Sequence, residues 1–143
     1  MKGAMMREVL LHGGPGEAFD RSVLFARQLA EAFGARLHVV YTVEDPLAAG
    51  WTAEVAAERL PEVHQAIEDE ARGRLARAIP IEDQERLGVQ LVIRTGPAES
   101  EVVLYSKEHP IDLAIVHAPL GEGQAGLAHA LLEQGRCAVL VLR

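Results

Sequence analysis

Residues 111–143 read IDLAIVHAPLGEGQAGLAHALLEQGRCAVLVLR, and this stretch decides the fold. An apolar strand (residues 111–116) runs into a glycine-rich loop (residues 118–126). A short helix follows, and a second apolar strand (residues 137–142) ends the stretch. Apolar runs such as residues 113–116 and 139–142 suit strands that are buried on both faces. A strand, a glycine loop and a helix start also form an anion cradle, because free backbone N–H groups converge there.

The same alternation extends back through the chain. Residues 7–12 form a short apolar strand. Residues 17–33 have helical periodicity, with Glu17, Asp20, Arg21, Gln28 and Glu31 on a polar stripe and Val23, Phe25, Ala26, Leu29 and Phe33 as the apolar remainder. Gly34 is placed to end that helix. Residues 36–43 are a second strand, rich in β-branched and aromatic residues, and residues 44–51 a loop holding Pro46 and Gly50. A long helical region covers residues 52–78, where Leu60, Val63, Ile67, Ala71, Leu75 and Ala78 step by three and four. Pro61 implies a kink there or a fresh helix start. Residues 89–94 form the third strand. Gly96 and Pro97 open the next helix, with Pro97 at its first position, and it ends before Pro110.

Five strands alternating with four helices predict one α/β domain over residues 1–143. Right-handed βαβ units build a parallel sheet covered on both faces, a Rossmann-like architecture. In such a sheet ligands bind beyond the strand carboxyl ends where the strand order reverses. For the order 3-2-1-4-5 that point lies between strands one and four. The loops there begin His12-Gly13-Gly14-Pro15-Gly16 and His117-Ala118-Pro119-Leu120-Gly121-Glu122-Gly123.

Composition limits the function classes. The chain has 143 residues, 49% hydrophobic and 24% charged, with a net charge of −7. That charge argues against nucleic acid, whose phosphates need a basic face. No stretch is apolar and long enough to span a bilayer, and the first residues carry too short an apolar run for a signal peptide. A cytoplasmic location is the expectation. Cys137, the single cysteine, forms neither an internal disulfide nor a metal cluster.

Residues 94–116, RTGPAESEVVLYSKEHPIDLAIV, carry a specific pattern. It consists of a strand, a Gly-Pro-Ala-Glu helix start and an Asp-Leu pair opening strand four. Together with the closing Cys137-Ala138-Val139-Leu140-Val141-Leu142, this resembles the universal stress proteins from end to end. Ala138 stands where the family's closing strand has proline. The resemblance implies an open five-stranded sheet of the adenine nucleotide alpha hydrolase kind. It also implies a homodimer in which Val139, Leu140, Val141 and Leu142 pair antiparallel with their copy.

The family divides into members that bind ATP and members that do not. In the binders the loop after strand four runs glycine-x-x-glycine, nine residues, then glycine and a hydroxyl residue. Here the first glycine position falls on Ala118 and the second on Gly121. Gly123 follows, the loop is several residues short, and the hydroxyl position falls on Gly126. The acidic residue after strand one falls on Gly14, beside Gly13. The nucleotide-facing position ending strand two falls on Thr42, the apolar residue ending strand four on His117, and an often-proline position on His12. A shorter loop offers fewer N–H donors, and Glu122 places a negative charge within it. At about 1.5–3 kcal/mol per charge-assisted contact, losing two or three removes roughly two to six decades of affinity. A degenerate site follows, with no cofactor and ATP disfavoured. The plainer reading of Gly13, Gly14, Gly16, Gly121 and Gly123 is that they allow tight strand-to-helix turns.

His12 and His117 are expected side by side if strands one and four are neighbours. They could form a paired imidazole site for a transition metal or for acid/base chemistry. Two ligands are too few for a structural metal site, with Glu122 the nearest third, so two strand-end histidines bonded to backbone or water is the preferred reading. His38 reads as a satisfied structural histidine, and His64, His109 and His129 as surface residues. The sequence lacks a G-x-S-x-G elbow, a complete P-loop and an H-E-x-x-H helix. The function expected is therefore non-enzymatic binding or regulation. A divergent ATP- or AMP-binding protein is the alternative, and a histidine-based site a second alternative.

Overall fold

A computed structural model describes residues 6–16, 18–47, 49–117 and 126–143. Five parallel strands, β1 (Glu8–Gly13), β2 (Arg36–Val43), β3 (Gln90–Thr95), β4 (Leu113–His117) and β5 (Ala138–Leu142), form one sheet in the order β3-β2-β1-β4-β5. The sheet and its reversal between β1 and β4 are those read from the sequence. Helices α1 (Ala18–Phe33), α2 (Ala53–Ala78), α3 (Ile81–Leu87), α4 (Ala98–Glu108) and α5 (Gly126–Gln134) connect the strands.

Side chains alternate along each strand and so fill two cores. Val9, Leu11, Leu37, Val39, Tyr41 and Ile115 pack with Val23, Ala26, Ala30 and Leu75 from α1 and α2. Leu10, Val40, Ala114 and Val116 pack on the opposite face with Val102, Tyr105 and Leu131 from α4 and α5. The register fixes which faces meet: Val9 lies opposite Leu37 on β2 and opposite Leu113 on β4. Asp112 locks that register. Its Oδ2 accepts the N–H groups of Arg7 (2.8 Å) and Glu8 (2.9 Å), while its own N–H donates to the Glu8 carbonyl (2.9 Å).

Several expectations need correction. Among the described residues there are five helices rather than four. Pro80 precedes α3, Glu82 and Asp83 occupy its first turn, and Gly88 ends it at φ +61°, a left-handed conformation that suits glycine. α2 does not restart at Pro61; it runs continuously from its N-cap Thr52, whose hydroxyl accepts the Val55 N–H, to Ala78. Proline removes one i→i−4 donor, and Pro61 is exposed, so water can serve the freed carbonyl. Pro97 caps α4 rather than occupying its first turn. Phe25 and Phe33 are exposed on α1 rather than core.

His109 is not a free surface residue. Its ring stacks on Tyr105 with centroids 3.9 Å apart, and Nδ1 donates to the Tyr105 carbonyl. His38 is the satisfied structural histidine expected. Its Nε2 lies 2.8 Å from the Glu8 carboxylate and its Nδ1 2.7 Å from the Tyr105 hydroxyl. A carboxylate only accepts, so Nε2 carries the proton and Nδ1 accepts from the tyrosine. Burial pushes the Tyr105 hydroxyl pKa up, which keeps it a donor.

Candidate functional site

The carboxyl ends of β1, β2 and β4 meet at the topological switch point. Of the residues assigned there from sequence, His12, Gly13, Gly14, Thr42, His117 and Gly126 are described; Ala118, Gly121 and Gly123 lie outside the described residues, as does Glu122.

β1 pairs with β4 as Leu11↔Ile115, so two residues further on Gly13, not His12, comes opposite His117. Side chains alternate across the sheet, and the two imidazoles therefore leave on opposite faces, one on each lip of the crevice. Both residues nonetheless border the same hollow. Among the described residues no group of three or more His, Cys, Asp or Glu side chains gathers as a metal site would require.

On the α4/α5 side, His12 Nε2 lies 2.7 Å from Oγ1 of Thr42. Thr42 is almost fully buried, so its hydroxyl is committed to this partner. Burial lowers the His12 pKa to about 4, and the Glu99 carboxylate opposes that only in part. At pH 7 the ring is neutral. Glu99 belongs to the first turn of α4, and its carboxylate also reaches the start of α5. A β-carbon placed on Gly126 would lie 3.0 Å from Glu99 Oε1.

On the α1 side, a hollow of about 370 Å³ opens beneath the loop after β1. Residues 13–16, Ala18, Phe19, Ser22, His12 and His117 line it, and none of them is Lys or Arg. His117 Nε2 is buried and has no hydrogen-bond partner among the described residues. The glycines have distinct reasons here. A β-carbon on Gly13 would lie 2.3 Å from Cδ1 of Phe19, so glycine is needed for close packing. A β-carbon on Gly16 would meet nothing.

Arg74, buried on α2, organises this loop from behind and was not singled out by the sequence reading. It donates to the carbonyls of Gly14 and Gly16, to the Tyr41 hydroxyl (3.4 Å) and to Asp20 (3.2 Å), and lies 5.0 Å from the centre of the Phe19 ring. Its position within the long stripe of α2 gives no sequence signal, because the partners are loop carbonyls. Glu99 was quoted within a helix-start pattern, but its approach to Gly126 depends on how α4 and α5 pack.

Residues 11–143 match the model of the universal stress protein family. The chain belongs to that family. The universal stress protein UspA from Lactobacillus plantarum is similar in structure, with a TM-score of 0.74, 19% identity, and coverage of 99% of this chain and 100% of that one. A universal stress protein solved in complex with cAMP matches at TM-score 0.65 and 20% identity, covering 96% and 97%. One from Burkholderia pseudomallei matches at 0.61 and 22%, covering 99% and 98%. At these identities the likeness concerns the fold. Comparison with curated protein sequences finds no match. This crevice carries a neutral imidazole bound to threonine, an imidazole with no partner among the described residues, and a glycine loop held from behind. Among the described residues no helix is long and apolar enough to cross a membrane.

Proposed function

We propose that this protein is a non-enzymatic, cytoplasmic binding or regulatory member of the universal stress protein family whose nucleotide site is degenerate. One observation carries the reading: no positive side chain lines the described hollow beneath the loop after β1, Arg21 and Arg143 lining only the adjoining hollow on the far side of Ser22 and His117, and His12 is neutral at pH 7. Triphosphate sites rely on cations, metal or many convergent N–H groups. Arg74, the nearest buried cation, donates to the loop's own carbonyls. The residues present do not fit a tightly held triphosphate. Isothermal titration with Mg-ATP tests this, and binding no tighter than high micromolar is expected. A low-micromolar dissociation constant, or ATP retained through purification, overturns it.

A second reading, a divergent adenine-nucleotide binder, draws on His117. Its Nε2 is buried with no partner among the described residues, an arrangement that is costly if left unmet, and a bound heterocycle would supply one. Related universal stress proteins have been solved with cAMP and with dAMP. The same titration decides between the readings.

The assembly we propose is a homodimer through β5. This strand is the sheet's outer edge beyond β4, and Val141 is 41% exposed. Neither nucleic acid nor a membrane is a partner in this reading.

A further inference from the structure

We infer that the hollow between α1 and the ends of β4 and β5 is a separate site for a short-chain monocarboxylate, with the carboxylate between Arg21 and Arg143 and the tail against Phe25 and Leu142. The inference goes beyond the nucleotide reading and does not depend on it.

This hollow, of about 170 Å³, lies outside the reversal between β1 and β4, on the far side of Ser22 and His117 from the hollow beneath the loop after β1. The register sets His117 opposite Leu142, and Leu142 packs toward the core beneath α1 and α2. These two residues form the floor. Arg21, Ser22 and Phe25, from consecutive turns of α1, form the roof, and Arg143 closes the end.

Two residues of the same charge border this small space, in a chain whose net charge is −7. The ion pairs among the described residues engage Arg27, Arg36, Arg72, Arg74, Arg86 and Arg94, and neither Arg21 nor Arg143. Like charges that share a space repel, and an anion between them reverses the sign of the interaction. The remaining lining selects the kind of anion. Ser22 spends its hydroxyl proton on the Ala18 carbonyl (2.8 Å) and has none to donate. Phe25 is 38% exposed and Leu142 half-buried, so an apolar group laid on them leaves water. A phosphate, with oxygens on every side, would turn some of them against these apolar walls without partners. A carboxylate has one charged end, which the planar fork of arginine matches, and a tail for the walls. At about 30 Å³ per water the space equals roughly five or six waters, which suits a chain of roughly four carbons.

The test titrates the full chain with butyrate, acetate, inorganic phosphate and butyramide at constant ionic strength, following backbone amide shifts by NMR. Wild type should bind butyrate with a dissociation constant of about a millimolar, the scale of two charge-assisted contacts in an open site. Acetate and phosphate should bind more weakly, and butyramide, which keeps the shape without the charge, should show no saturable binding. Arg21→Gln should weaken butyrate by about tenfold, the loss of one charge-assisted contact. Arg77→Gln makes the same change in net charge at a different hollow, between α1 and α2, and should leave butyrate unchanged. Phe25→Ala should bring butyrate down to the affinity of acetate. No saturable butyrate binding by wild type overturns the inference. So do butyramide binding as tight as butyrate, phosphate binding tighter than butyrate, or equal losses in the two arginine variants. None of these results alters the expectation for Mg-ATP, and tight ATP binding would leave the carboxylate site standing.

Discussion

Arg74 on α2 donates to the carbonyl of Gly14, sixty residues earlier in the chain, and so fixes the first glycine loop from behind the crevice. The same guanidinium holds the Gly16 carbonyl and faces the Phe19 ring. The planar fork of arginine serves several acceptors at once, which an ammonium cannot do. Arg74→Met should leave two loop carbonyls and the Tyr41 hydroxyl without this donor. We expect a loss of about 2 kcal/mol, or roughly 6–10 °C in melting temperature for a domain of this size. Arg74→Lys should recover only part of it. Urea denaturation of the three proteins is the measurement. A methionine variant as stable as wild type would show that the loop holds itself.

Gly13 and Gly16 should respond differently to the same change. A β-carbon at Gly13 lies 2.3 and 2.5 Å from ring atoms of Phe19, itself buried between α1 and the sheet. The ring has to move, and overpacking of this kind costs about 1–3 kcal/mol. At Gly16 the β-carbon meets nothing within 4 Å. Gly13→Ala should therefore lower the denaturation midpoint clearly, and Gly16→Ala should leave it nearly in place. Equal effects would mean that the loop backbone, not Phe19, demands glycine.

The strands were legible because both kinds of evidence for them are local. Residues 113–116 and 139–142 are continuous apolar runs, the strand–helix alternation implies a parallel sheet, and the strand order came with the family resemblance carried by residues 94–116. Asp112 explains why an acidic residue opens β4: its carboxylate caps the N–H groups of Arg7 and Glu8. The signals for α3 were also present, in Pro80, Glu82, Asp83 and Gly88, but seven residues carry little periodicity. Non-local contacts account for the rest. His38 and His109 share Tyr105 from different elements. Arg74 finds loop carbonyls, Glu99 finds the start of a later helix, and a one-residue register offset separates His12 from His117. None of these relationships has a spacing in the sequence.

Burial of His12 gives stability a defined pH dependence. Its folded pKa is about 4 against an ordinary 6.5. Above 6.5 the ring is neutral in both states and contributes no pH dependence. Between 6.5 and 4 the unfolded chain binds a proton that the folded chain does not, so stability falls as the pH falls. The full effect is on the order of 3 kcal/mol at pH 4, from 1.36 kcal/mol per unit. His12→Gln keeps a polar side chain beside Thr42 and does not titrate. The difference in unfolding free energy between pH 7.5 and pH 4.5 should shrink in the variant by about 2 kcal/mol or more. An unchanged difference would show that other groups set the acid response.

The outer strand supplies the last prediction. Ala138 donates its N–H to Asp112, and donors alternate along a strand. The N–H groups of Val139 and Val141 therefore face the open edge of β5. An edge with apolar side chains and unpaired backbone groups invites pairing with another chain. A second copy meeting it antiparallel across a two-fold axis would satisfy both edges, and closed two-fold dimers are the commonest soluble assembly. Val141→Pro removes an outward donor without taking one from the β4 ladder. Val141→Lys leaves the backbone intact but brings like charges together across the axis. Both variants should sediment as monomers while keeping the wild-type circular dichroism spectrum, and the wild type should sediment as a dimer at tens of micromolar. A wild type that is monomeric at that concentration rules the dimer out. Dimeric variants would place its interface on another face.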